Sequence, residues 1–247
     1  MRIIHLSDIH IVENGRPIWE TDTKLHFDKA INKIANIKDI DAIFLSGDLA
    51  DDGSLWAYQY IDDAFKTLGI PTYCCPGNHD NINFMLNEYT PSFLKIQEHV
   101  SIKGWDFYFL NTAVDGMARG FISEDKLESI KESICGINNP IAFIFHHPPI
   151  EPGGWLNRKL LEDRDNFNNL IYGYPNVKLV LFGHIHYHLQ QTITDELNKK
   201  KINTLNELVE KCREYECLNE RSDSSIAIQI SLCVCLVVAP DIPWIAN

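Results

Sequence analysis

Seven side chains able to hold a cation recur along this chain in five short clusters. They are Asp8 and His10 in SDIH, Asp48 in SGDLADDG, Asn78 in PGNHD, His146 in FHHPP, and His184 and His186 in FGHIH. Carboxylate and amide oxygens mixed with imidazoles suit a pair of divalent transition metals better than any other cargo. A carboxylate has two oxygens, so Asp48 is the natural bridge between two ions. On an extended backbone the D-x-H spacing would turn Asp8 and His10 to one face, because residues i and i+2 point together. His184 and His186 repeat that spacing on another strand end. Gly47 and Gly77 permit close backbone approach and a tight turn, and Pro148 and Pro149 end the sheet after His146. Each cluster alone is ordinary: N-H-D after P-G reads as an Asx turn, H-H-P-P as a rigid loop, G-H-I-H as a polar edge. Only the five together make a site.

Residues so far apart in sequence meet only if the fold gathers strand ends onto one edge. Short apolar runs bounded by Gly, Pro, Ser or Asp predict buried strands over 2–6, 41–45, 71–75, 107–111, 141–145 and 177–182. Between them, helices are expected over 24–38, with Phe27, Ala30, Ile31 and Ile34 on one face, and over 54–68, stopped by Gly69-Ile-Pro71. A third starts from Ser123 as N-cap, with Glu124 and Asp125 in its first turn and Leu127, Ile130 and Ile134 as its apolar stripe. This alternation argues for an α/β fold with largely parallel pairing. Ligand sites in such sheets lie beyond the carboxyl ends of the strands, where the clusters fall. After Gln191 the texture changes: 192–221 is polar and charged, with Leu197, Leu205, Leu208, Val209 and Cys212 at roughly helical spacing, and 226–239 reads as one or two strands.

The 247 residues, 45% hydrophobic and 23% charged, are ordinary for a globular protein and fit one large domain or two small ones. A net charge of −12, from 34 acidic and 22 basic residues, argues against a nucleic-acid polymer as partner. A small anion drawn to a dimetal site remains compatible. The seven cysteines are odd in number and lack framework spacing, so reduced, mostly buried thiols of a cytoplasmic protein are expected. Zinc on Cys212, Cys217, Cys233 and Cys235 fits no common finger spacing. No signal segment opens the sequence, and its longest apolar stretch, 226–240, is too short to span a bilayer, so no membrane contact is expected.

The order D-x-H, G-D, G-N-H-D, H, G-H-x-H resembles the calcineurin-like metallophosphoesterase superfamily, and all five blocks are intact. The segment LNTAVDGMARGFISEDKLESIKESI narrows the likeness to class III cyclic-nucleotide phosphodiesterases and glycerophosphodiesterases. The match covers about 1–190. It implies a four-layer α/β/β/α sandwich of two mixed sheets with the dimetal site at the carboxyl ends of the strands. Residues 1–191 would form the catalytic core, and 192–247 a C-terminal segment of the same domain: a charged helical insertion, then strands completing the second sheet. The insertion, a departure from the family, could be a cap helix, a substrate rim or the arm of a homodimer.

The resemblance further implies one ion on Asp8, His10, Asp48 and His186 and another on Asp48, Asn78, His146 and His184, the ions being Mn2+, Fe2+/Fe3+ or Zn2+. His146, which directly follows its strand, is preferred to His147. His79 would be the catalytic acid, oriented by Asp51, with Asp52 as second candidate, and Asn78, His79 and His147 would touch the substrate. His188 extends the alternation by one step, and Trp19, Trp155 and Tyr187 could rim the cleft. The expected reaction is hydrolysis of a small phosphodiester, of cyclic-nucleotide or glycerophosphodiester type, by metal-activated hydroxide. Phosphomonoesters are the alternative. GDLADDG lacks the arginine of the protein-phosphatase signature, and intact ligands argue against a non-catalytic scaffold.

Overall fold

Strands and helices alternate from the first residue. The computed structural model describes residues 1–153, 157–186, 192–195, 200–203 and 235–238. In chain order come β1 (Arg2–Leu6), α1 (Thr23–Ile34), β2 (Ala42–Ser46), α2 (Leu55–Leu68), β3 (Thr72–Cys75), β4 (Lys95–Ile96), β5 (His99–Ile102), β6 (Trp105–Phe109), α3 (Glu124–Ile134), β7 (Ile141–Ile144), α4 (Arg164–Tyr172), β8 (Val177–Leu181), β9 (Thr192–Asp195), β10 (Lys200–Asn203) and β11 (Cys235–Val238). One sheet has the order β11-β1-β2-β3-β4 and the other β5-β6-β7-β8-β10-β9. Both are mixed: β1 to β4 pair in parallel with β11 antiparallel to β1, and β6, β7 and β8 run parallel between antiparallel edges.

Side-chain alternation along the central strands produces the four layers. Ile4, Leu6, Ile43, Leu45 and Cys74 pack outward on Phe27 and Ile34 of α1 and on Ala57, Ile61 and Phe65 of α2. Their neighbours Ile3, Ala42, Phe44, Tyr73 and Cys75 point inward and meet Phe107, Phe109, Ala142, Ile144, Leu179 and Leu181 of the second sheet. The far face of that sheet, with Tyr108, Ile141, Phe143, Val177 and Val180, packs on Ile130 and Ile134 of α3 and Phe167 and Ile171 of α4. The chain is thus an α/β/β/α sandwich whose central strands β1, β2, β3, β6, β7 and β8 are largely buried on both faces, which is why they read as continuous apolar runs. Helix starts obey the capping signals, with Ser54 and Ser123 accepting from the amides of Ala57 and Lys126.

Several expectations are corrected. The fourth run forms β6 two residues early, because a turn at Lys103 and Gly104, both with positive φ, sets the β5–β6 hairpin register. α1 ends at Ile34 rather than 38. β4, β5 and α4 were not anticipated, although Phe167, Leu170 and Ile171 carry a helical i, i+3, i+4 spacing. Within 192–221, read as helical, β9 and β10 instead form an antiparallel hairpin extending the second sheet, while β11 joins the first. The helical spacing from Leu205 to Cys212 lies outside the described residues. Cys74 and Cys75 are buried free thiols, whereas Cys135 is exposed. Cys212, Cys217 and Cys233 also lie outside the described residues. No helix among the described residues is long and apolar enough to cross a membrane.

Candidate metal centre

All five clusters follow strand ends: Asp8 two residues after β1, Asp48 two after β2, Asn78 three after β3, His146 two after β7 and His184 three after β8. The D-x-H geometry differs from the extended one expected. Asp8 and His10 have φ of 58° and 48°, His184 and His186 of 73° and 55°, and Asp48 of 52°. Left-handed backbone is costly for such residues and persists only where surroundings impose it, characteristically at functional sites. Backbone bonds impose it here, from Asp8 N–H to Gly47 O (3.1 Å) and from His10 N–H to Asp48 O (3.0 Å).

The side chains converge into two donor groups meeting at Asp48. Asp8, His10, Asp48 and His186 place ligand atoms within 4.8 Å of one another. Within it His186 Nε2 is 3.3 Å from Asp8 Oδ1 and from His10 Nε2. His146, His147 and His184 form the second group. Asp48 Oδ2 lies 3.6 Å from His10 Nε2 in the first and 3.1 Å from His146 Nε2 in the second. His146 donates Nδ1–H to Ser46 O (2.8 Å), which turns Nε2 inward. His147 instead spends Nδ1 on Thr112 Oγ1. Gly77 lets the third cluster approach, since a Cβ there would sit 2.2 Å from Asp48 Oδ1.

These residues fit metal ions by a test independent of sequence. Buried polar atoms almost always find a partner. Yet Asn78 Oδ1, His147 Nε2, His184 Nε2 and His186 Nδ1 are buried with no hydrogen-bond partner among the described residues. A cation would satisfy such atoms, Asn78 Oδ1 and His147 Nε2 foremost, and would account for the His146 Nε2 and His184 Nδ1 nitrogens facing each other at 3.1 Å.

A third group, His10, Asp51 and His79, adjoins the first. Asp51 Oδ1 is 2.9 Å from His79 Nδ1 and 3.1 Å from His10 Nδ1. Asp52, the second candidate for that position, instead accepts from the amides of Glu13 and Ser54. The Asp51 hydrogen bond raises the His79 pKa, outweighing burial. Burial alone would raise the Asp51 and Asp48 carboxyls, but the imidazoles beside them hold both below the usual range. Burial pulls His184 down to about 3 and His147 to about 2, with His146 adding to both. Burial also opposes charge on His146, yet Asp48 against its ring holds it up at about 9.

Metal-free protein at pH 7 therefore carries a proton on His146 that an ion must displace. Calorimetric titration with Mn2+ in buffers of different ionisation enthalpy should show net proton release at pH 7. The release should shrink as pH rises through about 9. A buffer-independent enthalpy at pH 7 would contradict this ordering of charges.

Trp19, half exposed, sits with its ring centroid 6.0 Å from His186 and 6.3 Å from His10, at the rim of the first group. Trp155, Tyr187 and His188 lie outside the described residues. Sequence reading missed Asp80, whose buried carboxylate accepts from the amides of Leu49, Ala50 and Gly77 and from the Tyr58 hydroxyl. Its signal was the last letter of PGNHD, read only as part of the turn.

The family model for calcineurin-like phosphoesterases matches residues 1–188. Among curated relatives, a 3′,5′-cyclic-nucleotide phosphodiesterase of Nostoc sp. is 29% identical, over 74% of this chain and 71% of that protein. A probable cyclic nucleotide phosphodiesterase of Coxiella burnetii is 31% identical, over 75% and 76%. A solved dimetal phosphatase from Danio rerio superposes with a TM-score of 0.59 at 10% identity, covering 82% of this chain and 86% of that one. That likeness speaks to the fold alone.

Proposed function

The chain belongs to the calcineurin-like phosphoesterase family and is a phosphoester hydrolase, and from that premise we propose that it hydrolyses a 3′,5′-cyclic nucleotide at a dimetal site. The observation that carries the reading is the meeting of two donor groups at Asp48, whose Oδ2 lies 3.6 Å from His10 Nε2 and 3.1 Å from His146 Nε2. Asp8, His10, Asp48 and His186 would hold one ion, and Asp48, Asn78, His146 and His184 the other. When bound, such ions supply Lewis acidity to the phosphoryl oxygens and lower the pKa of water. The names of the relatives support the cyclic-nucleotide substrate, and Trp19 beside the first group offers a face on which a base could stack.

The protein's own part is proton handling and orientation. His79 is the proposed acid: with Nδ1 engaged by Asp51, its other ring nitrogen is left to protonate the leaving 3′-oxygen. Its backbone N–H donates to Asp48 Oδ1 (2.9 Å), which fixes the distance between acid and carboxylate. Asp51 favours the charged imidazole, so the acid stays protonated to higher pH. Activity should therefore fall as pH rises through the His79 pKa. Asp51→Asn, which keeps an oxygen for His10, should lower that pKa, moving the alkaline limb of kcat/KM toward lower pH and reducing kcat about tenfold or more. An unmoved limb would remove Asp51 from this role.

The substrate is tested with a Mn2+-supplemented panel of 3′,5′- and 2′,3′-cyclic nucleotides, glycerophosphodiesters and phosphomonoesters. The 3′,5′-cyclic nucleotides should lead in kcat/KM. A monoester in first place would replace the reading by phosphomonoesterase.

A further inference from the structure

One histidine in the second donor group has no task in the ligand sets above. We propose that His147 is a further nitrogen donor to the ion held by His146 and His184, aimed there by Thr112 and Gly120. The proposal rests on the dimetal reading and adds a ligand to it.

The ring is fully buried and clamped from two sides. Its Nδ1 lies 2.8 Å from Thr112 Oγ1, which also accepts the His147 backbone N–H at 3.4 Å. Gly120 lies flat against the ring, and a Cβ there would sit 2.4 Å from His147 Cγ and 2.5 Å from Nδ1. No side chain larger than hydrogen is compatible with the ring where it stands. Gly120 is itself held by backbone bonds, donating to Leu160 O (3.1 Å) and accepting from the Glu162 amide (2.9 Å). Leu161 next to them donates to Pro148 O (3.1 Å), tying the clamp to the H-H-P-P loop. Thr112 and Gly120 both belong to the LNTAVDGMARG stretch, which contributes no residue to the ligand sets above.

With Nδ1 occupied, only Nε2 is left to act, and it is buried without a partner. One ring nitrogen of His147 lies within 4.8 Å of one each from His146 and His184. A neutral imidazole donating Nδ1–H to Thr112 presents a lone pair at Nε2, the form a metal requires. A ligating histidine almost always donates its other ring N–H to an acceptor that fixes ring and tautomer, the part Thr112 Oγ1 plays here. Simple packing would leave that nitrogen unsatisfied, at a cost that proteins avoid.

The test is titration of the metal-stripped full chain, Mn2+ by calorimetry and Co2+ by visible absorption. Wild type should take up two ions. In His147→Asn one ion should keep its affinity, while the other weakens at least about tenfold and its Co2+ bands change. Thr112→Val and Gly120→Ala, which retain the histidine, should weaken the same ion by about 10- to 100-fold. His10→Ala should weaken the opposite ion. If His147→Asn fails to fold by circular dichroism, Thr112→Val decides on the same criteria. Two ions bound with wild-type affinities and unchanged Co2+ bands in these variants would overturn the proposal while leaving the dimetal reading intact. Fewer than two ions on wild type would overturn both.

Discussion

Asp48→Ala should reduce kcat/KM on bis(p-nitrophenyl) phosphate by about a thousandfold or more, even with saturating metal. The magnitude follows from position. The Asp48 carboxylate reaches imidazoles of both donor groups, His10 at 3.6 Å and His146 at 3.1 Å. Its other oxygen accepts the His79 amide, so the same residue spaces the proposed acid from the proposed ions. Metal-centred charge stabilisation is worth several kcal/mol of barrier, and each ~1.4 kcal/mol is a factor of ten. Removal also leaves His10 and His146 without the carboxylate that draws them together. The variant should bind at most one Mn2+ tightly, and Asn78→Ala should lose activity in the same direction. Wild-type-like turnover by either variant under saturating Mn2+ would sink the dimetal mechanism.

The largest effect on stability should come from Asp80→Ala, a residue that touches none of the proposed ligands' metal-facing atoms. One carboxylate, 5% exposed, accepts from Leu49, Ala50 and Gly77 amides and the Tyr58 hydroxyl. The three amides belong to the loops after β2 and β3 and Tyr58 to α2, so Asp80 fastens the Asp48 loop to the Asn78 loop and both to that helix. Tyr58 passes the connection on by accepting from the Asn81 amide at 2.9 Å. Truncation leaves several buried donors without an acceptor, each costing about 1–3 kcal/mol before relaxation. A net loss of about 3–5 kcal/mol is expected. For a chain of this size that corresponds to a fall in Tm of roughly 10 °C or more. Mn2+ should restore part of it by binding the folded state. A Tm within about 2 °C of wild type would show that the loops are held by something else.

Catalytic and structural residues differed in how visible they were beforehand. Asp8, His10, Asp48, Asn78, His146, His184 and His186 announced themselves because imidazole and carboxylate after an apolar strand have few other uses. Asp80, Thr112 and Gly120 did not, because an acid in a turn, a threonine and a glycine are common everywhere. Their importance lies in partners 22 to 35 residues away, as in Asp80 to Tyr58 and Thr112 to His147.

By itself the sequence determined the α/β alternation, the strands β1, β2, β3, β7 and β8 to within a residue or so, and the strand ends carrying the donors. Buried parallel strands demand apolar runs, and runs end at breakers, so that information is local. Only the tertiary structure decided what depends on neighbours. The edge strands β4 and β5 are too short to show a period, and β9 and β10 pair with each other at the start of a segment whose apolar spacing read as helical. Strand β11 went to β1, a choice made by hydrogen bonds across the whole chain. At the site, left-handed backbone at Asp8, His10, Asp48, His184 and His186 replaced the extended geometry expected, because loops pinned to one another can hold conformations that no isolated segment would adopt.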